Sequence, residues 1–317
     1  MRTMTLVLAA VPLAVAAQSY PSKPIRIIVP SGQVGTSYVS ARALSEPLSR
    51  SLGQPVVVEN RAGADGLIGM EVCARAAPDG YTLCVAHPAP ISLAPFVQRQ
   101  MPYDAQQDFA PVVLVGVQTG SIMVNASVPA HSLGELIALA KSRPGGVNWG
   151  SWGASSVSSL YLAWLQNHAG VSFNHITYKT PDQAQNAVMA GEVDVMVGNA
   201  GFVQRQAQAG KLRPVAVVGD RRSSLLPDVP AFTELGYALN YRAWVGMFAP
   251  SRAPRAVVQR LNGELRAAIG APGFAAKFFL PMSLEPSPGS PEEFAAFLRD
   301  DRDTVSMLVR LAGVRPE

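Results

Sequence analysis

Short apolar runs and amphipathic stretches alternate along this chain, and the alternation predicts strands and helices in turn. The first strand is predicted at the β-branched run Ile25–Val29. Further strands are predicted at residues 81–86, 112–117, 122–124, 147–149, 176–178, 193–197, 214–218 and 244–249. Helices are predicted after the loop at residues 30–37 and at 133–141, 255–269 and 291–311. This order indicates βα units around mostly parallel sheets, and therefore an α/β protein.

One proline interrupts the first predicted helix. Pro47 has no N–H to donate to the Ala43 carbonyl, which costs about 3 kcal/mol in a regular helix interior. A kink or a shortened helix is expected there.

The first 17 residues have the composition of a secretory signal peptide. Arg2 precedes an apolar run that is too short to span a membrane and ends in small residues, Ala14 to Ala17. A retained membrane anchor is the alternative. We expect cleavage near Ala17 and a periplasmic protein.

Charge argues against nucleic acid as a partner. The chain has 26 Lys and Arg against 22 Asp and Glu, a net charge of +4, without a block of five or more like charges. Hydrophobic residues make up 48% of the 317 positions, which allows for two lobes with cores of their own.

Several segments, in order along the chain, resemble the Bug family of periplasmic solute receptors, the TctC-like binding proteins of tripartite tricarboxylate transporters. They are YPSKPIRIIVP at residues 20–30, the stretch from ARALSEPL to DGLIG at 41–69, AAPDGYTL at 76–83, and further matches at 101–112, 209–217, 226–237 and 290–297. The resemblance implies a two-lobed periplasmic binding protein fold, type II-like, with a double-crossover hinge. Residues 18–122 and 243–317 would form the first lobe and residues 123–242 the second, with both C-terminal helices packed on the first lobe.

The same resemblance implies a ligand held between loops of the two lobes. Loops at helix starts present main-chain N–H groups and the positive end of the helix dipole, which suits a small carboxylate. The predicted ligand-binding residues are Ser31, Gly32, Gln33, Val34, Gly35, Thr36, Ser37, Tyr38, Pro88, Ala89, Pro90, Ser151, Trp152, Gly153, Ala154, Ser155, Ser156 and Asn199. No cofactor or metal is expected.

Two of these positions depart from the family pattern. Val34 is β-branched and disfavours positive φ, so the first loop need not form the usual anion cradle. Tyr38 stands where relatives have aspartate and is expected to fill part of the pocket or to stack on a ring. An aromatic or hydrophobic carboxylate therefore fits as well as a dicarboxylate.

Cys73 and Cys84 are the two cysteines of the chain, 11 residues apart. In an exported protein a disulfide between them would persist. Two buried free thiols are the alternative, and the sequence does not choose between them.

The main functional hypothesis is a receptor, expected to be monomeric, that presents its ligand to a membrane permease or a sensor-kinase ectodomain. A second hypothesis is a hydrolase or lyase that uses a serine of the second loop with His87, and a third is a drifted paralogue that binds little ligand. The chain lacks the G-x-S-x-G, Walker and H-E-x-x-H motifs.

Overall fold

The protein is described by a computed structural model over residues 20–33, 35–154, 156–314 and 316. The predicted signal peptide at residues 1–17 and the predicted site residues Val34 and Ser155 lie outside these ranges.

The described ranges contain strands and helices in alternation, as predicted. The strands are β1 (Ile25–Val29), β2 (Val56–Asn60), β3 (Thr82–Ala86), β4 (Phe109–Gln118), β5 (Gly120–Asn125), β6 (Asn148–Ser151), β7 (Asn174–Thr177), β8 (Val195–Asn199), β9 (Leu212–Val217), β10 (Ala243–Pro250) and β11 (Leu284–Pro286). The α-helices are α1 (Thr36–Leu52), α2 (Leu67–Ala74), α3 (Ala94–Val97), α4 (Leu133–Ser142), α5 (Val157–Ala169), α6 (Pro181–Ala190), α7 (Ala200–Gln208), α8 (Arg255–Ile269), α9 (Phe274–Phe278) and α10 (Pro291–Leu311). Short 3₁₀ turns lie at Ala64–Gly66 and Leu280–Met282, and a π-helical turn at Ala89–Leu93.

The strands form two sheets, one in each lobe. The first sheet has the order β11-β4-β10-β3-β1-β2 and the second β7-β6-β8-β5-β9. The chain passes from the first sheet to the second between β4 and β5, at Thr119, and returns between β9 and β10. The predicted α/β class, the two lobes and the double crossover are confirmed. The boundaries at residues 122 and 242 remain predictions, and β5 pairs within the second sheet from Gly120 onward.

The prediction of mostly parallel sheets needs correction, because both sheets are mixed. β1 runs parallel to β2 and β3, and β6 runs parallel to β7 and β8. Three strands are the exception: β10 is antiparallel to β3 and β4, β11 is antiparallel to β4, and β5 is antiparallel to β8 and β9. A strand that arrives from the other lobe enters the sheet without a βα unit before it, so nothing requires it to run parallel.

The core of the first lobe follows from the two-residue period of β1. Ile27 and Val29 face one side, against Leu44 and Leu48 of α1, whereas Ile28 faces the other side of the sheet. Leu44 and Leu48 are fully buried, and each contributes about 1.5–3 kcal/mol of hydrophobic stabilisation.

Of the two outcomes expected at Pro47, a shortened α1 is not found, and a kink stays a prediction. The helix continues through Pro47 to Leu52. Burial of Leu44, Leu48 and Leu52 on both sides of the proline offsets the loss of one main-chain hydrogen bond.

Cys73 and Cys84 form a disulfide in the structure. It joins α2 to β3, and the two Cα atoms are 6.2 Å apart. The sequence left this pairing open.

Helix α10 begins and ends at the predicted residues, but its packing differs from the prediction. Its first turns pack on the first lobe, where Phe294 lies among Trp244 and Phe248. Its last turns enter the core of the second lobe, where Val305 and Leu308 are fully buried. A 21-residue helix is about 30 Å long, long enough to reach across both lobes. The helix therefore connects the lobes rather than belonging to the first alone.

Candidate functional site

A cavity of about 190 Å³ lies between the lobes, at the point where the chain crosses from one to the other. Its floor is built from the crossover strands, and its remaining walls come from the second lobe. The lining residues are Gln118, Thr119, Gly120, Trp152, Val157, Pro181, Gln185, Val197, Gly198, Asn199, Val218, Arg242 and Ala243. Among these described residues there is one cation and no acidic side chain.

Three helices of the second lobe begin at this cavity. Strands β6, β7 and β8 run parallel, so their carboxyl ends share one edge of the sheet, and α5, α6 and α7 start there. Ser156, Thr180 and Asn199 are the N-cap residues, and the side chain of each accepts a hydrogen bond from a main-chain N–H of its helix. Each helix start carries roughly half a positive charge, so the three together favour an anion.

The start of α7 contributes a field rather than free donors. Its first three amides already donate to protein oxygens: Ala200 N to the Thr119 carbonyl, Gly201 N to Ser283 Oγ and Phe202 N to Asn199 Oδ1. Ser283 comes from the first lobe, and its hydroxyl lies 3.3 Å from Asn199 Oδ1. A ligand held by main-chain amides in this cavity would therefore depend on the starts of α5 and α6.

Arg242 is the one cation of the lining, and the sequence prediction missed it. Its side chain is 10% exposed, and Nη1 lies 3.0 Å from Asp220 Oδ1. Burial lowers the pKa of the guanidinium, and the Asp220 carboxylate opposes that shift. Nε is buried and has no hydrogen-bond partner among the described residues.

Gly219 makes room for the Arg242 side chain. Its φ is +114°, and a Cβ at this position would lie 2.7 Å from Arg242 Cδ and 3.2 Å from Nε. Any other residue would be strained there and would displace the arginine.

The first predicted loop reaches the cavity through one contact. Gln118 Nε2 donates to Thr36 Oγ1 at 3.0 Å, at the start of α1. Gly35 is the N-cap of α1, without a side-chain hydrogen bond. Ser37 is buried, and Tyr38 packs against the core of the first lobe. The structure thus places Tyr38 in packing contacts, away from the lining of the interlobe cavity.

The rest of that loop lies further from the cavity. The Ser31 carbonyl accepts a hydrogen bond from Asn60 Nδ2 at 2.8 Å, and Gly32 and Gln33 are exposed.

The predicted turn at Pro88, Ala89 and Pro90 is the start of a π-helical turn. Pro88 and Pro90 are buried, and the Pro90 carbonyl accepts a hydrogen bond from Tyr103 Oη at 2.7 Å. A Cβ on Gly66 would lie 3.1 Å from Pro90 Cγ and 3.3 Å from Pro30 Cβ, so this segment lies beside the first loop. None of the three residues lines the interlobe cavity.

The second predicted loop is divided between two sides of α5. Trp152 lines the interlobe cavity. Ala154 lines a separate cavity of about 510 Å³ together with Ser159 and His175. The Gly153 carbonyl accepts hydrogen bonds from Ser156 N and Ser159 Oγ, which closes the loop against the helix.

Ser151 is fully buried, and its hydroxyl lies 2.7 Å from His175 Nε2. This pair joins neighbouring strands, and sequence spacing could not reveal it. Burial lowers the pKa of His175. An inaccessible hydroxyl cannot attack a substrate, so Ser151 is not placed as a nucleophile.

The described residues give no support to a pairing of His87 with a serine of the second loop. Burial lowers the pKa of His87 to about 4, with a small opposing effect of Asp65. No hydrogen bond joins His87 to Ser151 or Ser156 in the described part of the chain.

Other functional classes find no support in the described ranges. They contain no helix with both the length and the hydropathy to cross a bilayer. They also contain no group of three or more His, Cys, Asp or Glu side chains placed to hold a metal ion.

Comparison with known proteins agrees with this geometry. The family model described as tripartite tricarboxylate transporter family receptor matches residues 40–314. A UPF0065 protein of Bordetella bronchiseptica is 34% identical, over 98% of this chain and 94% of its own. The structure of the periplasmic binding protein BugD has a TM-score of 0.71 and 30% identity, over 94% of this chain and all of its own. A structure of an R. palustris protein with adipate has a TM-score of 0.76 and 27% identity, over 94% of this chain and 100% of its own.

Sequence, fold and site thus lead to one conclusion: the chain belongs to the TctC family, whose members are periplasmic solute-binding receptors rather than enzymes.

Proposed function

We propose that this protein binds a small carboxylate in the interlobe cavity and presents it to a membrane transporter. One observation carries the proposal. Three helix starts and one buried arginine surround the cavity, and no acidic residue is found among its described lining. Such a site attracts an anion and repels a cation.

The free energies of the expected contacts are large enough for micromolar binding of a carboxylate. Micromolar binding requires about 8 kcal/mol. Charge-assisted hydrogen bonds contribute about 1.5–3 kcal/mol each, so three or four of them reach that value after part is lost to ordering. Trp152, Val157 and Val218 add apolar contact area for a carbon chain.

The volume of the cavity limits the size of the ligand. A cavity of about 190 Å³ is smaller than the roughly 300–1,000 Å³ of pockets for drug-sized molecules. The R. palustris neighbour with adipate supports a carboxylate of similar dimensions.

Presentation to a transporter requires the lobes to close around the ligand. The crossovers at Thr119 and before Ala243 are the proposed hinge. Helix α10 is embedded in both lobes, so closure has to bend or slide this helix as well. The proposed partner is the permease of a tripartite tricarboxylate transporter or a sensor-kinase ectodomain, and the proposed receptor is a monomer exported by a signal peptide cleaved near Ala17.

Calorimetric titration tests the ligand class. The probes are hexanoate, benzoate, adipate and malate, and the controls are the corresponding neutral amides. At least one acid is expected to bind with micromolar affinity, at least tenfold more tightly than its amide. If no acid binds more tightly than its amide, the proposal is wrong and the drifted paralogue becomes the better account.

Uptake measurements test the transport role. In the source bacterium, deletion of the gene is expected to abolish uptake of the carboxylate that binds most tightly, and re-expression to restore it. Unchanged uptake would contradict this role.

The first residue of the protein recovered from the periplasm is expected near Gln18.

A further inference from the structure

The start of α7 offers an anion in this cavity no free amide among its first three residues. The amides at the start of α7 already donate to Thr119, Ser283 and Asn199. The cavity keeps one strong donor group that is not fully used, the guanidinium of Arg242.

Three features of Arg242 distinguish it from a structural arginine. Its side chain is nine-tenths buried, where an uncompensated charge is costly. Its one ion-pair partner, Asp220, is 48% exposed and already accepts a hydrogen bond from Asn240. Its Nε is a buried donor without a partner in the described residues. Buried donors in native proteins are usually satisfied, so the unpaired Nε leaves the buried charge incompletely compensated by the protein, although this atom itself is closed off from the cavity.

The surrounding backbone is shaped around this side chain. Gly219 adopts a φ of +114° and leaves the space that the arginine stem fills, since a Cβ would come within 2.7 Å of Cδ. Asp220, the next residue, then lies within ion-pair distance of Nη1 and orients the guanidinium. Two consecutive residues of one loop thus hold Arg242 against the cavity.

We propose that Arg242 is the side chain that recognises the carboxylate of the ligand. The planar guanidinium donates to the carboxylate oxygens, and the carbon body of the ligand packs against Trp152 and Val157. This inference rests on the proposed function and adds a specificity-determining residue to it.

Three variants test the role. Arg242→Gln removes the charge and keeps a side chain that can donate a hydrogen bond. Arg242→Lys keeps the charge and removes the planar fork. Arg213→Gln is the matched control, because Arg213 is also a partly buried arginine of the second lobe, and it donates to the Val128 and Ala130 carbonyls, away from the cavity.

Binding is measured by calorimetry with hexanoate and benzoate, and with hexanamide and benzamide. Arg242→Gln is expected to weaken binding of the acids by about tenfold to 100-fold and binding of the amides by less than about threefold. Arg242→Lys is expected to give an intermediate loss, and Arg213→Gln no loss for either class. A purely structural role would weaken acids and amides alike.

The outcomes separate this inference from the proposed function. If the unaltered protein binds the acids and Arg242→Gln binds them equally well, Arg242 is not the anchor, although the receptor function stands. If the unaltered protein binds none of the acids, both proposals are wrong. If Arg242→Gln does not fold, Arg242→Lys decides, because an anchoring role requires a selective loss of acid binding in that variant.

Discussion

Asp301 is a buried carboxyl group at the point where α10 passes from the first lobe to the second. It is 6% exposed, and Trp244 Nε1 donates to its Oδ2 at 2.9 Å. Burial raises the pKa of Asp301 to about 6, although the Ser92 hydroxyl, the Trp244 hydrogen bond and the charge of Arg242 lower it in part. The group therefore opposes folding when it is ionised.

The sign and size of the effect of pH on stability follow from the linkage between proton binding and folding. The ordinary value is 3.8, so the folded protein holds this proton more tightly than the unfolded chain. The contribution of Asp301 to the free energy of unfolding consequently falls as pH rises from about 4 to about 6, and it stays low above that. The difference corresponds to about 3 kcal/mol, from about 1.4 kcal/mol for each pH unit between the two values.

Asp301→Asn removes the charge and keeps an oxygen that accepts from Trp244. We expect the variant to exceed the unaltered protein in free energy of unfolding by up to about 3 kcal/mol at pH 8 and to match it at pH 4. Urea unfolding followed by circular dichroism at pH 4, 6 and 8 measures this difference. Asp300→Asn, an exposed neighbour on the same helix, is the control and should give the same small difference at each pH.

A difference between Asp301→Asn and the unaltered protein that does not change with pH would refute the reasoning. Destabilisation by Asp301→Asn at pH 8 would refute it as well, since it would mean that the ionised carboxylate stabilises the folded state.

Three further predictions concern stability. Replacing Cys73 and Cys84 by alanine should lower the free energy of unfolding by about 3 kcal/mol, because the disulfide closes an 11-residue loop in the unfolded chain. Dithiothreitol should lower the melting temperature of the unaltered protein and leave that of the variant unchanged. If the variant melts at the same temperature as the unaltered protein, the disulfide contributes nothing. Gly246→Ala should lower the free energy of unfolding in urea by about 1–3 kcal/mol, because a Cβ would lie 2.2 Å from Phe294 Cζ. Adding Phe294→Leu to this variant should restore part of the lost stability. An unchanged free energy of unfolding in Gly246→Ala would contradict the close packing of α10 on β10. Leu308→Ala should cost about 2–5 kcal/mol by the same measurement, whereas a surface-like effect below about 0.5 kcal/mol would show that α10 does not enter the second-lobe core.

Much of the secondary structure could be predicted because its signals are local. Helices α8 and α10 begin and end where the sequence predicts. For α10 the signal is a capping box, in which Ser290 and Glu293 satisfy each other's main-chain N–H. The strand β1 follows from one β-branched run.

The lining residues that were predicted lie in strand-to-helix connections of the second lobe. Trp152 and Asn199 were predicted and line the cavity, whereas Arg242 and Gln118 were not predicted. Arg242 lies just before an apolar strand, and nothing near it in the chain marks it as buried or as adjacent to Gly219.

The sequence by itself determined which segments become strands and helices and to which family the chain is similar, since periodicity, caps and motifs act over a few residues. Only the tertiary structure decided that α10 reaches into both lobes and that residues 118 and 242 meet at one cavity. The reason is physical: crossover strands bring together positions more than 100 residues apart, and such contacts depend on the packing of whole lobes, which leaves no local pattern in the chain.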